Sequence, residues 1–213
     1  MVNWVTIEKK FELAMSQPLR IFIVVTLPDN VRDVLQETIE TLKSYGISGV
    51  RWTSKEHIHL TVKFLGNVEK RVLPSILHRF NEVTLDMVPF HLRLGHLNTF
   101  PKGKLARIIW TGIDGNLDPL LFLEDSIQEE MVNLGFRKES RSSLPHITLG
   151  RVKYNGTSKQ RECVRKVVDI LKIHGKAYWE VESIDVMESK LFHSGSVYHK
   201  LAQIRLGSLL KKG

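Results

Sequence analysis

Residues 57–66 read HIHLTVKFLG, and residues 145–152 read PHITLGRV. Each stretch holds a histidine, an apolar residue, a threonine and a second apolar residue: His59-Leu60-Thr61-Val62 and His146-Ile147-Thr148-Leu149. Alternation of this kind is the period of a β-strand, in which neighbouring side chains leave on opposite faces. The β-branched threonine suits a strand for the same reason that it disfavours a helix. His59 and Thr61 are therefore expected on one face, about 6–7 Å apart along the strand. Leu60 and Val62 are expected on the other face, in a core. His146 and Thr148 should stand against Ile147 and Leu149 in the same way. One such tetrad is weak evidence of anything. Two, well separated in one chain, point to an internal duplication: two strands, each offering an imidazole and a hydroxyl toward a shared cleft.

That constellation suits phosphoester cleavage. A neutral imidazole can take a proton from an attacking oxygen, and a protonated one can give a proton to a leaving oxygen. Both forms are accessible near neutrality. The two hydroxyls can donate to non-bridging phosphate oxygens and hold the group in line. This design requires no metal and no cofactor. His57 and His59 form a His-x-His pair, a spacing that also serves metals. However, the next residue on that expected face is Thr61, a poor ligand, and no acidic cluster follows.

Around the tetrads the chain alternates strand-like and helix-like stretches. The apolar, β-branched run at residues 20–27 reads as a buried strand. A helix is expected from Pro28-Asp29, with Val31, Val34, Leu35, Ile39 and Leu42 at helical spacing and Gly46 as its stop. Val50-Arg51-Trp52 reads as a short strand. Further helices are expected at 69–86, 117–134 and 158–173, and further strands at 90–97, 107–113, 144–152, 178–188 and 197–206. Thr99 to Lys104 is expected to be a loop, whose Lys102 and Lys104, with Arg107 beyond it, could face RNA or simply solvent. This order lacks the strict alternation of a doubly wound sheet. It points to an α+β fold with largely antiparallel sheets. Residues 1–18 read as an N-terminal extension, in part a short amphipathic helix, and 19–213 as a single bilobal domain.

Charge narrows the partners. The chain has 213 residues, a net charge of +8 and a pI near 9.6. A surface this basic favours a polyanion such as nucleic acid. Cys163 is the single cysteine, so no internal disulfide can form, and a reducing compartment is expected. No apolar run approaches the roughly 18 residues of a membrane span. A cytoplasmic protein that does not enter a membrane is the expectation, and a monomer.

With these residues in view, the chain resembles the RNA 2′,3′-cyclic phosphodiesterases of the two-histidine phosphoesterase superfamily, also labelled 2′-5′ RNA ligases. The resemblance covers about residues 19–207. It rests on both tetrads, the RIFIVVTLP opening, Arg51-Trp52, Phe64-Leu65-Gly66, the Phe100-Pro101 segment leading to ARIIW, and the late VMESKLFHSGSVYHKL segment. It implies a bilobal fold with a pseudo-twofold axis, a central cleft and helices outside. It also implies hydrolysis of RNA 2′,3′-cyclic phosphate ends, or of cyclic nucleotides, to a 2′-phosphate. By the same resemblance His59 is the proton donor to the departing 3′ oxygen and His146 the proton acceptor from water. Thr61 and Thr148 are substrate-binding, Arg151 lies near the phosphate, and Phe64 is a platform for a base. An RNA-binding module without turnover and a reversible 2′-5′ ligase remain as alternatives.

Two of these residues raise a question of geometry. Strict alternation puts Arg151 on the face opposite His146, unless Gly150 marks a bulge that re-aims it. Strict alternation also puts Phe64 on the core side with Leu60 and Val62, with no glycine before it to suggest a bulge.

Overall fold

In a computed structural model, residues 17–102, 106–138, 144–173, 177–193 and 195–207 are described. The expected helix within residues 1–18, and Lys104 of the expected loop, lie at least partly outside them. Among the described residues, nine strands form two antiparallel sheets. The first sheet has the order β3-β1-β8-β9, from Leu60–Val68, Leu19–Val25, Ser183–Phe192 and Gly195–Arg205. The second has the order β2-β6-β5-β4-β7, from Val50–Trp52, His146–Val152, Ile108–Gly115, Phe90–Phe100 and Tyr178–Val181. Four α-helices are described: α1 (Asp29–Ser44), α2 (Leu73–Thr84), α3 (Leu117–Asn133) and α4 (Ser158–Ile170).

The duplication expected from the tetrads is visible in this order. One strand-helix-strand-helix unit runs β1-α1-β3-α2, with the short β2 between α1 and β3 and with β1 antiparallel to the tetrad strand β3. A second runs β5-α3-β6-α4, with β5 antiparallel to the tetrad strand β6. Each sheet then takes two strands from the other half of the chain. β8 joins β1 and carries β9, while β4 joins β5 and β2 joins β6. The two halves are thereby stitched into one another rather than strung in series.

Each strand face has the burial its sequence dictates. Ile21, Ile23, Val25, Leu60 and Val62 are buried on one side of the first sheet. Ile109, Thr111, Ile147 and Leu149 do the same in the second. Amphipathic helices cover these faces. α1 contributes Val31, Leu35, Ile39 and Leu42, all fully buried, and α3 contributes Leu120, Leu123, Ile127 and Met131. Burial of each such side chain is worth roughly 1.5–3 kcal/mol. α4 starts on a capping box, in which the Thr157 hydroxyl accepts from the Gln160 amide and the Gln160 side chain accepts from Thr157 N–H.

Three expectations need correction. The stretch at 178–188 is two strands, not one. The chain leaves the second sheet after Val181 and enters the first at Ser183, with Glu182 between them. Burial alternates along Tyr178–Val181, slips at Glu182 and Ser183, and gives way to three successive buried residues, Ile184 to Val186. The loop expected from Thr99 begins later, because Thr99 and Phe100 still pair with Ile109 and Ile108 at the end of β4. His57 is not on a strand. It closes a 3₁₀ turn, Lys55–His57, that precedes the first tetrad. The Lys55 ammonium is bonded to Asp33 of α1 and ties that turn to the helix.

Candidate active site

The two tetrad strands lie in different sheets, yet their Cα atoms come within 8 Å of each other. β3 is the outer strand of the first sheet, and β6 lies near the edge of the second, flanked only by the three-residue β2. The faces opposite the buried residues carry the polar members of each tetrad. Thr61 stands opposite Val24 of β1, and Thr148 opposite Trp110 of β5. His146 is opposite Gly112.

Beyond each threonine the register slips by one residue. In β1–β3, Ile23 pairs with Lys63 and Val24 with Thr61, so Val62 is extra. In β5–β6, Ile109 pairs with Gly150 and Trp110 with Thr148, so Leu149 is extra. A bulge of this kind turns the following side chains onto the other face. Phe64 accordingly pairs with Phe22, on the face of Thr61, and is 61% exposed. Arg151 pairs with Ile108, on the face of Thr148 and His146, and is exposed. Gly150 does mark the second bulge. A Cβ at Gly150 would lie 2.9 Å from both Trp52 and Val50, so the close approach of β2 excludes any side chain there. The first bulge has no glycine, which is why alternation alone misplaces Phe64.

His59 sits in an aromatic setting that the sequence did not single out. Its ring lies 5.3 Å from Phe22 and 5.6 Å from Tyr198, centroid to centroid, the latter edge-on. Phe22 stacks on Phe64 at 6.0 Å and meets Tyr198 at 4.9 Å. His57 also packs against Tyr198, at 4.6 Å. The late VYHKL segment supplies Tyr198, which alternation places on the same face as Lys200. The strand register needed to bring that face against His59 is not readable in sequence.

Burial in this cluster pushes the His59 pKa down to about 4. A backbone hydrogen bond at His57 favours the charged ring and offsets part of that shift, while the nearby His57 charge adds to it. His146 is held differently. Its Nδ1 lies 2.8 Å from the Leu144 carbonyl oxygen. A carbonyl can only accept, so Nδ1 carries the proton and Nε2 is left to exchange one with a substrate. The ring also meets Trp110 edge-on at 5.6 Å.

The same face of the first sheet holds a charged pair. Asp185 of β8, opposite Val24, is 1% exposed. Its Oδ2 accepts from the Thr26 hydroxyl and lies 2.8 Å from Lys200 Nζ of β9. A buried carboxylate without such partners would be costly. Asp185 therefore fixes Lys200 against the floor of this face. Cys163 is half-buried in α4 and packs against the core. Among the described residues, no three His, Cys, Asp or Glu side chains gather into a group able to hold a metal ion.

With this geometry established, comparison with known proteins gives a consistent result. The chain matches the family described as LigT like phosphoesterase over residues 25–110 and 115–198. It is 31% identical over 186 residues to the RNA 2′,3′-cyclic phosphodiesterase of Methanocaldococcus jannaschii, covering 87% of this chain and 99% of that protein. It is 28% identical over 188 residues to the enzyme of the same name from Methanothermobacter thermautotrophicus, covering 88% and 99%. Among solved structures, TT0787 of Thermus thermophilus superposes with a TM-score of 0.75 at 24% identity, over 89% of this chain and 98% of that one. Apo E. coli LigT does so with a TM-score of 0.72 at 20% identity, over 90% and 99%. At these identities the two structures speak for the fold.

Proposed function

Because the chain belongs to the LigT-like phosphoesterase family, we propose that it hydrolyses 2′,3′-cyclic phosphate ends of RNA, the activity for which its relatives are named. The observation that carries this reading is the close approach of the two tetrad strands, with Thr61 on β3 two residues after His59, and His146 and Thr148 together on one face of β6. The reaction needs a water oxygen to attack phosphorus while the bond from phosphorus to the 3′ oxygen breaks. One imidazole takes the water proton, and the other returns a proton to the 3′ oxygen. The product is a 2′-phosphate with a free 3′ hydroxyl. Thr61 and Thr148 donate to the non-bridging oxygens, whose charge grows in the transition state. Arg151 adds a guanidinium to that charge. No step calls on a metal or a cofactor.

In this reading His146 is the proton acceptor and His59 the donor. His59 is neutral near pH 7 in the empty site, since its pKa is about 4. An anionic phosphodiester lying against it supplies the missing counter-charge and raises that pKa, so the acid is made in the substrate complex. Phe64, exposed and stacked on Phe22, is the platform for the terminal base.

The partner is RNA or a cyclic nucleotide. No described helix is long and apolar enough to cross a membrane, and we place the protein in the cytoplasm as a monomer. The working unit is residues 19–213, and 1–18 are an appendage. The test is product analysis on short RNAs ending in a 2′,3′-cyclic phosphate, with a chelator present. A 2′-phosphate product is expected. Tight binding without turnover would make the protein a binding module, and a 3′-phosphate product would reverse the placement of the phosphate.

A further inference from the structure

Arg51 of β2 stands directly opposite Arg151 of β6. Arg151 stands opposite Ile108 of β5, and Ile108 opposite Phe100 of β4. Directly opposed residues of an antiparallel pair share a face, so Arg51, Arg151, Ile108 and Phe100 form one row across the sheet. It is the face of His146 and Thr148. Thr148, Trp110 and Asn98 form the neighbouring row, about 6–7 Å away along the strands.

Two features of the row are unfavourable for a structure that binds nothing there. Opposed like charges destabilise a sheet, and the two guanidiniums are both exposed with no acidic partner among the described residues. None of the row or its neighbour is a carboxylate. At the far end Phe100 leaves an aromatic ring 57% exposed on the same face. Paired cations beside an exposed aromatic ring are what a single-stranded nucleic acid uses: charge for the backbone, a flat apolar ring for a base.

We propose that this row is a second nucleotide subsite, in which Arg51 and Arg151 hold the phosphodiester joining the terminal nucleotide to its neighbour and Phe100 stacks the neighbour's base. The inference rests on the reading of the tetrads as the hydrolytic centre. It makes the preferred substrate an RNA chain of at least two nucleotides rather than a cyclic mononucleotide. The first sheet has the corresponding row, Phe64-Phe22-Met187-Lys200, in which Phe64 is exposed and Phe22 is buried. Arg151 in this arrangement serves two phosphates, the cyclic one and the next, and Arg51 serves the second alone.

The experiment compares kcat/KM on adenosine 2′,3′-cyclic phosphate with that on a dinucleotide and a trinucleotide bearing the same cyclic end, for the wild type, Arg51→Gln and Phe100→Ala. Arg32→Gln on α1, outside the row, serves as a control. In parallel, affinity for the 2′-phosphate dinucleotide is measured as salt is varied, which needs no turnover. The wild type is expected to favour the dinucleotide, and each variant to lower that preference by about fivefold or more, within the range of one stacked base or one phosphate contact. Arg51→Gln should also flatten the slope of log affinity against log salt by about 0.7. Equal losses on mononucleotide and dinucleotide, or an unchanged salt slope, would overturn the subsite. Absence of turnover on every substrate would overturn the hydrolytic reading instead, and the salt slope would then decide the subsite alone.

Discussion

Phe64 and Arg151 occupy equivalent places in the two lobes: each follows its histidine by five residues, and each is turned onto the histidine's face by one extra residue after the threonine, Val62 in β3 and Leu149 in β6. Straight strands would have buried both among the helices. The bulges convert a two-residue motif into a three-residue one, imidazole, hydroxyl and a longer side chain that is aromatic in one lobe and cationic in the other.

The second bulge depends on Gly150. A methyl group there would meet Trp52 and Val50 at 2.9 Å. Gly150→Ala is expected to cost roughly 1–3 kcal/mol, the range for overpacking, read as a lower midpoint in urea. Trp52→Leu in the same chain should restore part of it. Full stability of the single variant would show that β2 yields easily and that the glycine is not required by packing.

The hydroxyls are tested by Thr61→Val and Thr148→Val, which keep the branched shape and remove a donor. Each should lower kcat/KM on a cyclic-phosphate RNA by about 10- to 150-fold, equivalent to roughly 1–3 kcal/mol. Changes of only a few-fold in both would assign the threonines to the strand and not to the phosphate.

The low pKa of His59 makes two expectations about pH. In kcat/KM, which reports the free enzyme, the acidic limb should fall near 4; in kcat it should move upward, because bound phosphate favours the charged ring. The limbs belong to the coupled pair of histidines. An acidic limb at the ordinary histidine value in kcat/KM would mean that His59 is not buried as described.

Stability should carry the same mark. The folded protein holds His59 below its ordinary value of 6.5, so between about 6.5 and 4 the unfolded chain binds more protons there than the folded one. The His59 contribution is thus fully present above pH 6.5 and is lost as pH falls toward 4. His59→Asn should flatten the dependence of Tm on pH in that window. An unchanged profile would place the titration elsewhere.

Sequence made the architecture and the centre of the site legible because both rest on short-range pattern. Alternation placed His59 and Thr61 against Leu60 and Val62, and helical spacing placed Val31, Leu35, Ile39 and Leu42 in the core. What it could not supply was register. Phe22 reaches His59 because β1 pairs with β3, and Tyr198 reaches it because β8 pairs with both β1 and β9. Arg51 reaches Arg151 only because β2 adds to the edge of β6. Long-range pairing of this kind leaves little trace in local sequence.

The central claim is that His59, at the head of β3, and His146, on β6, perform one displacement together. It is tested most directly by turnover of a cyclic-phosphate RNA, with chelator, by His59→Ala, His146→Ala and the double variant, folding being confirmed by circular dichroism. Each single variant should lose roughly 10²–10⁴ in kcat, and the double should be only slightly slower than either single, because the two act in one step. Near-wild-type turnover in either folded single variant, or losses that simply multiply in the double, would contradict the paired mechanism.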